Sequence, residues 1–223
     1  MGFYEAIMIE INKAHFPVTV LGPGRRIGIW LQGCSIRCQE CVSQDTWENN
    51  PELAMPVTDL VNWCRWITGG RLDGVTISGG EPFDQPQALA KLLDGLRCWA
   101  NEIGVDFDLL CYSGYPLTVL QNRHAGILAQ LDAVIPEPYM ESSPGPELWR
   151  GSMNQPVVPL SELGERRYNA AVLAGVPASK AFQVTVDGYR IWYIGIPDRG
   201  DMERMAALCR ERGLTLGSVS WRV

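Results

Sequence analysis

Apolar residues alternate loosely at Ile7, Ile9 and Ile11 and again at Val18 and Val20. That period predicts one or two strands leading to the turn Gly22-Pro23-Gly24. Residues 26–31 read as a buried strand that ends at Gly33-Cys34. Over 58–67, Leu60, Cys64 and Ile67 share a helical face, Thr58 can cap the start, and Gly69-Gly70 can stop it. Residues 74–78 form a short strand that runs directly into Gly79-Gly80-Glu81-Pro82. A helix opens next. Asp84 and Gln87 resemble a capping box with Pro86 in the first turn, and Leu89, Leu92, Leu93, Leu96 and Trp99 or Ala100 follow at helical spacing. Residues 107–112 are another strand, followed by the turn Ser113-Gly114-Tyr115-Pro116 and a short helix. Residues 132–135 are one more strand, ended by Pro136-Glu137-Pro138.

Strand and helix alternate throughout this region, which predicts an α/β fold with a mostly parallel sheet and helices outside it. The pattern alone does not separate an open sheet from a partial barrel. From 139 to about 179 it fails: Pro144, Gly145, Pro146, Gly151, Pro156 and Pro159 predict a long irregular stretch. Order returns in the tail. Residues 182–186 and 190–196 flank Asp187-Gly188, a hairpin signal. Residues 201–212 read as a helix stopped by Gly213, and 214–221 as a final strand.

Composition narrows the class. With 223 residues, 46% hydrophobic and 20% charged, the chain can bury a real core without metal or disulfide staples. A net charge of −6 supplies no global basic field for nucleic acid or an anionic membrane. No apolar run reaches the ~20 residues that a spanning helix needs. The N-terminus lacks a basic start followed by an apolar stretch, so no secretory signal is expected.

The seven cysteines are unevenly placed. Cys34, Cys38 and Cys41 fall in one loop, while Cys64, Cys98, Cys111 and Cys209 are scattered. A secreted disulfide framework would be shorter, denser and usually even-numbered. Three thiolates in one tight loop can hold three corners of an iron–sulfur cluster. No fourth Cys is close in sequence, and neither His15 nor His124 is nearby. Three protein ligands leave one metal position open, the logic of a catalytic site. A structural zinc completed by a distant Cys, or unrelated thiols, are the bland readings.

Gly79-Gly80-Glu81 lies where ligands bind in parallel sheets, beyond the carboxyl end of a strand. Two glycines let the backbone approach a ligand closely, and Glu81 can fix the turn or meet an ammonium. A plain strand–helix turn is the alternative.

The C-x-x-x-C-x-x-C triplet and the Gly-Gly-Glu-Pro turn, one strand apart, together resemble the radical S-adenosylmethionine superfamily. Gln32-Gly33-Cys34 through Cys41, with Asp45-Thr46-Trp47, is similar to the cluster loop of anaerobic ribonucleotide reductase activating enzymes. Tyr112-Ser113-Gly114-Tyr115 resembles their strand-end turn, and Arg150-Gly151-Ser152-Met153-Asn154-Gln155 their Arg-Gly-Ser-x-Asn-Gln stretch. The resemblance covers residues 22–155. Glu40 stands where many superfamily members carry an aromatic, and Glu137 where activases often show Asp-Gly.

The resemblance implies a partial (β/α) barrel core over 1–155, with residues 156–223 as a hairpin-helix-strand extension packed on the same domain. It implies a [4Fe-4S] cluster on Cys34, Cys38 and Cys41, with S-adenosylmethionine chelating the fourth iron. Gly79, Gly80, Glu81, Ser113 and Asn154 are the expected cofactor-binding residues. One electron from the reduced cluster would cleave the sulfonium to a 5′-deoxyadenosyl radical, which in activases abstracts hydrogen from a glycine of a partner protein. The implied partners are a glycyl radical enzyme-like target and a flavodoxin- or ferredoxin-type electron donor, in a reducing cytoplasm. Two alternatives differ in class. One is a radical enzyme acting on a peptide or small molecule, such as a carboxydeazaguanine synthase. The other is a non-enzymatic metal-binding interaction module.

Other residues have ordinary readings. Arg25-Arg26 and Arg166-Arg167 are expected at solvated surface. Cys64 and Cys111 are expected in the core, and His124 in a structural place at a helix end. The eight tryptophans fall on separate elements and form no evident stacking platform.

Overall fold

The computed structural model describes residues 6–143, 149–175, 182–188 and 190–222. The chain runs through β1 (Met8–Val18), β2 (Arg26–Leu31), β3 (Ala54–Pro56), α1 (Val57–Thr68), β4 (Gly74–Gly79), α2 (Pro86–Ile103) and β5 (Asp108–Tyr112). It continues through α3 (Leu117–Arg123), α4 (Ala125–Leu128), β6 (Ala133–Ile135), β7 (Val158–Pro159), α5 (Glu162–Tyr168) and α6 (Ala170–Gly175). The last elements are β8 (Gln183–Asp187), β9 (Arg190–Ile194) and α7 (Asp201–Glu211).

Seven strands form one sheet in the order β3-β1-β2-β4-β5-β6-β7. β2, β4, β5 and β6 are parallel, while β1, β3 and β7 are antiparallel additions at the two edges. All six residues of β2 are buried, as a strand covered on both faces requires. The expected face of α2 is buried, with Leu89, Leu92, Leu93 and Leu96 fully inaccessible and Trp99 nearly so. Cys64 and Cys111 lie in this core. The arrangement puts the carboxyl ends of four parallel strands on one rim, where Gly33, Gly80, Ser113 and Pro136 follow.

The opposite rim holds a surprise. Arg26 is fully buried rather than solvated, and its guanidinium forks onto Asp108 at 2.7 and 2.8 Å. Arg26 opens β2 and Asp108 opens β5, with Thr76 of β4 between them accepting the Arg26 Nε–H at 2.7 Å. Arg167 also reaches Asp108, at 2.7 Å, so the second basic pair is not simply a solvated surface either. Tyr168 donates its hydroxyl to the same carboxylate. Strand pairing brings together charges that are 82 residues apart, which no local pattern reveals.

Three further expectations change. Residues 162–168 and 170–175 are helical, not irregular. Ser161 caps α5 by accepting the Gly164 N–H at 3.0 Å, with Glu162 and Glu165 in the first turn. Pro144, Gly145 and Pro146 of that stretch lie outside the described residues. The capping box at Asp84 does not form. α2 starts at Pro86, and the Asp84 carboxylate instead accepts the Ser35 N–H at 2.7 Å and the Tyr115 hydroxyl at 2.8 Å. Residues 214–221 form no strand, because they lie against the cysteine loop. The Ser220 carbonyl accepts the Asp45 N–H at 3.1 Å, and the Ser220 hydroxyl donates to the Val42 carbonyl at 2.9 Å.

β8 and β9 pair antiparallel as a separate two-stranded sheet. It is fastened to the end of β1, since Gln183 accepts the Thr19 N–H at 3.0 Å and donates to the Pro17 carbonyl at 2.6 Å. Val18, Leu21, Trp30 and Ile194 form a small core beneath it. No helix among the described residues is long and apolar enough to cross a membrane.

Candidate cluster and cofactor site

A cleft of about 200 Å³ opens on the carboxyl rim of the sheet. Cys34, Cys38, Cys41, Gly79, Gly80, Glu81 and Ser113 all line it. Tyr139, Glu137, Gly151 and Gln155 close the far side. Asn154 is not among the lining residues.

The cysteine loop is held from below by backbone pairing. The Gly33 N–H donates to the Thr46 carbonyl at 2.8 Å, and the Cys34 N–H to the Trp47 carbonyl at 3.0 Å. The Gly33 carbonyl accepts the Glu81 N–H at 2.8 Å, so the loop and the Gly-Gly-Glu turn share one hydrogen-bond ladder. Each cysteine follows a residue in the left-handed region: Gly33 at φ 88°, Arg37 at 48° and Glu40 at 58°. Only glycine takes that conformation without cost, so Arg37 and Glu40 are held there by the surrounding structure. A residue with positive φ thus precedes all three thiols.

The three thiols are free. Burial raises the pKa of each, and neighbouring negative groups add to the rise: Glu81 and Cys38 for Cys34, Glu81 for Cys38, and Cys38 and Cys34 for Cys41. Among the described residues, no three His, Cys, Asp or Glu side chains converge as they would on one metal ion. Three thiols that line one cleft can each hold a separate iron. The donor set therefore fits a [4Fe-4S] cluster.

Glu81 is 1% exposed and fixes the turn rather than projecting freely. Its Oε1 accepts the Phe83 N–H at 3.0 Å and the Ser113 hydroxyl at 2.9 Å, and its Oε2 accepts the Gly114 N–H at 2.7 Å. Burial pushes its carboxyl up to about 7, although those three hydrogen bonds pull the other way. Ser113 is thereby committed to Glu81 and to the Tyr115 N–H, which it accepts at 3.0 Å.

The glycines of the turn are demanded first by the protein's own backbone. A Cβ on Gly80 would sit 2.0 Å from the Gly33 carbonyl oxygen, and one on Gly79, at φ 103°, 2.4 Å from the Leu31 nitrogen. This close approach brings the Gly-Gly-Glu turn against the residue before Cys34.

The Arg150–Gln155 segment folds onto the strand-end segment 137–140. The Gln155 amide accepts the Gly151 and Ser152 N–H groups at 3.1 Å and donates to the Glu137 carbonyl at 2.9 Å. Asn154 donates to the Pro138 carbonyl at 2.8 Å, and its Oδ1 is buried without a hydrogen-bond partner. Sequence reading missed Asp84 and Tyr115 as clamps on Ser35, and Gln155 as a wall of the cleft. The signal that could have found Gln155 was its place in the motif already singled out.

A larger cavity of about 560 Å³ adjoins this cleft. It shares Leu21, Trp30, Val42, Ser43, Gly195 and Pro197 with the cleft, and β9 with residues 215–221 supplies most of its outer wall.

Similarity to known proteins identifies the family. The model of the 4Fe-4S single cluster domain matches residues 20–158, more than half of the chain. The anaerobic ribonucleoside-triphosphate reductase-activating protein of Vibrio cholerae is 28% identical over 145 residues, 63% of this chain and 92% of that protein. Its counterpart from Enterobacteria phage T4 is 26% identical over 136 residues, 61% of this chain and 85% of that protein. The pyruvate formate-lyase-activating enzyme of Staphylococcus epidermidis is 35% identical over 113 residues, 48% of this chain and 43% of that enzyme. A crystal structure of QueE from Escherichia coli overlaps only partly, with a TM-score of 0.40 and 23% identity over 48% of this chain and 53% of that one. The chain belongs to the 4Fe-4S single cluster domain family and is a radical S-adenosylmethionine enzyme, with a [4Fe-4S] cluster and S-adenosylmethionine as its cofactors.

Proposed function

We propose that this protein is an activase that abstracts hydrogen from a glycine of a partner protein, as the activating enzymes it resembles are named for activating theirs. The observation that carries the reading is the shared rim: three cysteines and the Gly79-Gly80-Glu81 turn line one cleft at the carboxyl ends of parallel strands. The sheet serves as the wall of a partial (β/α) barrel, with residues 1–155 as its core and 156–223 as an extension of the same domain.

The cofactors supply reductive cleavage of the sulfonium to a 5′-deoxyadenosyl radical; the chain supplies position and exclusion of water. Cys34, Cys38 and Cys41 hold the cluster. Gly79 and Gly80 present backbone groups to the methionine end of the cofactor, and Glu81 with Ser113 keeps that turn in place. Asn154 acts on the site through Pro138, whose carbonyl it holds. The electron donor is a flavodoxin- or ferredoxin-type protein, and the thiolate site calls for a reducing cytoplasm.

Anaerobic reconstitution tests the ligands. Cys34→Ala, Cys38→Ala and Cys41→Ala should each lose the ~400 nm absorption expected of thiolate-bound iron, while Cys64→Ala and Cys209→Ala keep it. A triple variant that still holds a full cluster would refute the assignment. The target is tested separately by co-purification under anaerobic conditions, followed by deuterium transfer into 5′-deoxyadenosine from a glycine-deuterated partner. Transfer from a free small molecule instead would move the enzyme to the small-molecule class.

A further inference from the structure

The larger cavity beside the cluster cleft is bounded by two stretches of main chain. Every residue of β9 lines it, and so does every residue from 215 to 221. Successive side chains of a strand point to opposite faces. A cavity that touches all of β9 therefore runs along the edge of the strand rather than over one face. β8 and β9 form a sheet of two strands, so that edge of β9 has no neighbouring strand among the described residues.

The register shows which groups face the slot. Two residues separate Asp187 from Arg190, so that pair exchanges the backbone hydrogen bonds that close the hairpin. Trp192 and Ile194 then bond to Thr185 and Gln183, and the N–H and C=O groups of Ile191 and Tyr193 point away from β8. Among the described residues no backbone hydrogen bond joins β9 to 215–221. The walls touch through side chains instead, the Tyr193 ring meeting Trp221 edge-on at 6.4 Å. The slot also leads to the cluster site. Gly195, Ile196 and Pro197 continue β9 and line the cleft with the three cysteines. On the other wall, Ser220 is bonded to Asp45 and Val42 of the cysteine loop. Both walls lie outside residues 20–158, so the slot is built by chain beyond the matched domain.

We propose that this slot binds an extended segment of the target protein as an added strand on the free edge of β9, and so delivers the residues next to that segment to the cluster cleft. An unpaired strand edge is a template for a further extended chain, and main-chain pairing supplies affinity in such complexes. Ile191 and Tyr193 supply the pairing groups, and the continuation of β9 into the cleft sets the direction. A small molecule has no repeating row of donors and acceptors to match such an edge. The inference rests on the reading that the enzyme acts on a partner protein, and adds where that partner's chain is held.

Short synthetic peptides, randomised on both sides of a central glycine, are selected for binding to the anaerobically reconstituted enzyme. The selected sequences are then made again with each backbone nitrogen methylated in turn. Antiparallel or parallel, an added strand bonds to β9 through every second residue, so methylation should weaken binding about tenfold at alternate positions and leave the positions between them unchanged. Ile191→Pro removes one outward donor at a position that makes no bond to β8, which an edge strand tolerates. It should weaken the same peptides by a similar factor, with iron content retained. If Ile191→Pro fails to fold, the methylated peptides decide, because they test the unaltered enzyme. A selection that yields no binder, or binders without alternating sensitivity, overturns the proposal. So does a dimer of the enzyme that Ile191→Pro disperses, since a second copy would then fill the edge. Deuterium on the central glycine keeps the two readings apart. Alternating sensitivity without deuterium transfer to 5′-deoxyadenosine would refute glycine abstraction and uphold the slot as a site for extended chain.

Discussion

The Glu81 carboxylate accepts the Gly114 backbone N–H at 2.7 Å and ties the end of β4 to the end of β5. The same side chain accepts from Phe83 and Ser113, so one buried group organises two turns of the cleft. Burial holds its carboxyl near 7 in the folded chain against an ordinary 4.5. The folded state therefore keeps this proton to higher pH than the unfolded state does. Its contribution to stability should fall as pH rises from about 4.5 to about 7, by about 3 kcal/mol in total. Urea unfolding of the metal-free protein between pH 5 and 8 measures it. Glu81→Gln should flatten that slope, and at low pH should cost about 1–3 kcal/mol by turning an amide donor toward the Gly114 N–H. A slope that survives Glu81→Gln belongs to other groups.

Gly80 is expected to tolerate no side chain. A Cβ there would press on the Gly33 carbonyl, one residue before Cys34. Gly80→Ala should lower iron content as well as S-adenosylmethionine affinity, and Gly80→Val should abolish both. Iron analysis beside calorimetry separates this from a turn that serves the cofactor alone, which would leave iron unchanged.

Arg37 and Glu40 occupy left-handed backbone, at φ 48° and 58°. Glycine should relieve about 1 kcal/mol at each position. Arg37→Gly and Glu40→Gly are expected to reconstitute fully, whereas Glu40→Val should reconstitute poorly because a β-branched residue resists that conformation. Iron per chain after reconstitution reads the difference. Equal loading by Gly and Val would show that the loop rearranges when it binds the cluster. Glu137, at φ 82°, is a parallel case on the far wall, offset by the hydrogen bond its carboxylate accepts from the Leu117 N–H.

Arg26 and Asp108 make a buried pair on the rim opposite the cysteines. Burial works against both charges. For Asp108 the contacts with Arg26, Tyr168 and Arg167 win, so its carboxyl is held below the ordinary range. That stability is present above the ordinary carboxylate pKa and is lost as pH falls through the depressed value. Arg26→Ala leaves the Asp108 charge buried without its main partner and should cost about 3–5 kcal/mol. Chemical denaturation measures it. A loss below 1 kcal/mol would mean that Arg167 and Tyr168 suffice.

Asn154 does not line the cleft but holds the Pro138 carbonyl, between Glu137 and Tyr139, which do. Asn154→Ala is expected to keep full iron content and to weaken S-adenosylmethionine binding by about tenfold, equivalent to about 1.4 kcal/mol. Wild-type affinity with wild-type deuterium transfer would remove the 150–155 segment from the site.

Much of this was legible along the chain because it depends on neighbours in sequence. Helical spacing marked the buried face of α2, and the alternation of strands with helices required parallel strands whose carboxyl ends share a rim. The triplet of thiols and the Gly-Gly-Glu turn could therefore be placed on one side before any contact was known. What tertiary structure alone decided involves partners far apart in sequence. Asp84 reads locally as a helix cap, yet it bonds Ser35, 49 residues away, because the turn before α2 packs against the cysteine loop. Arg26 reads locally as surface, yet strand pairing sets it beside Asp108. Residues 214–221 read as a strand, but the cysteine loop offers Val42 and Asp45 as partners for their polar groups. Local periodicity fixes which face of an element is apolar; it carries no information about which distant polar group will be left beside it once those faces are buried.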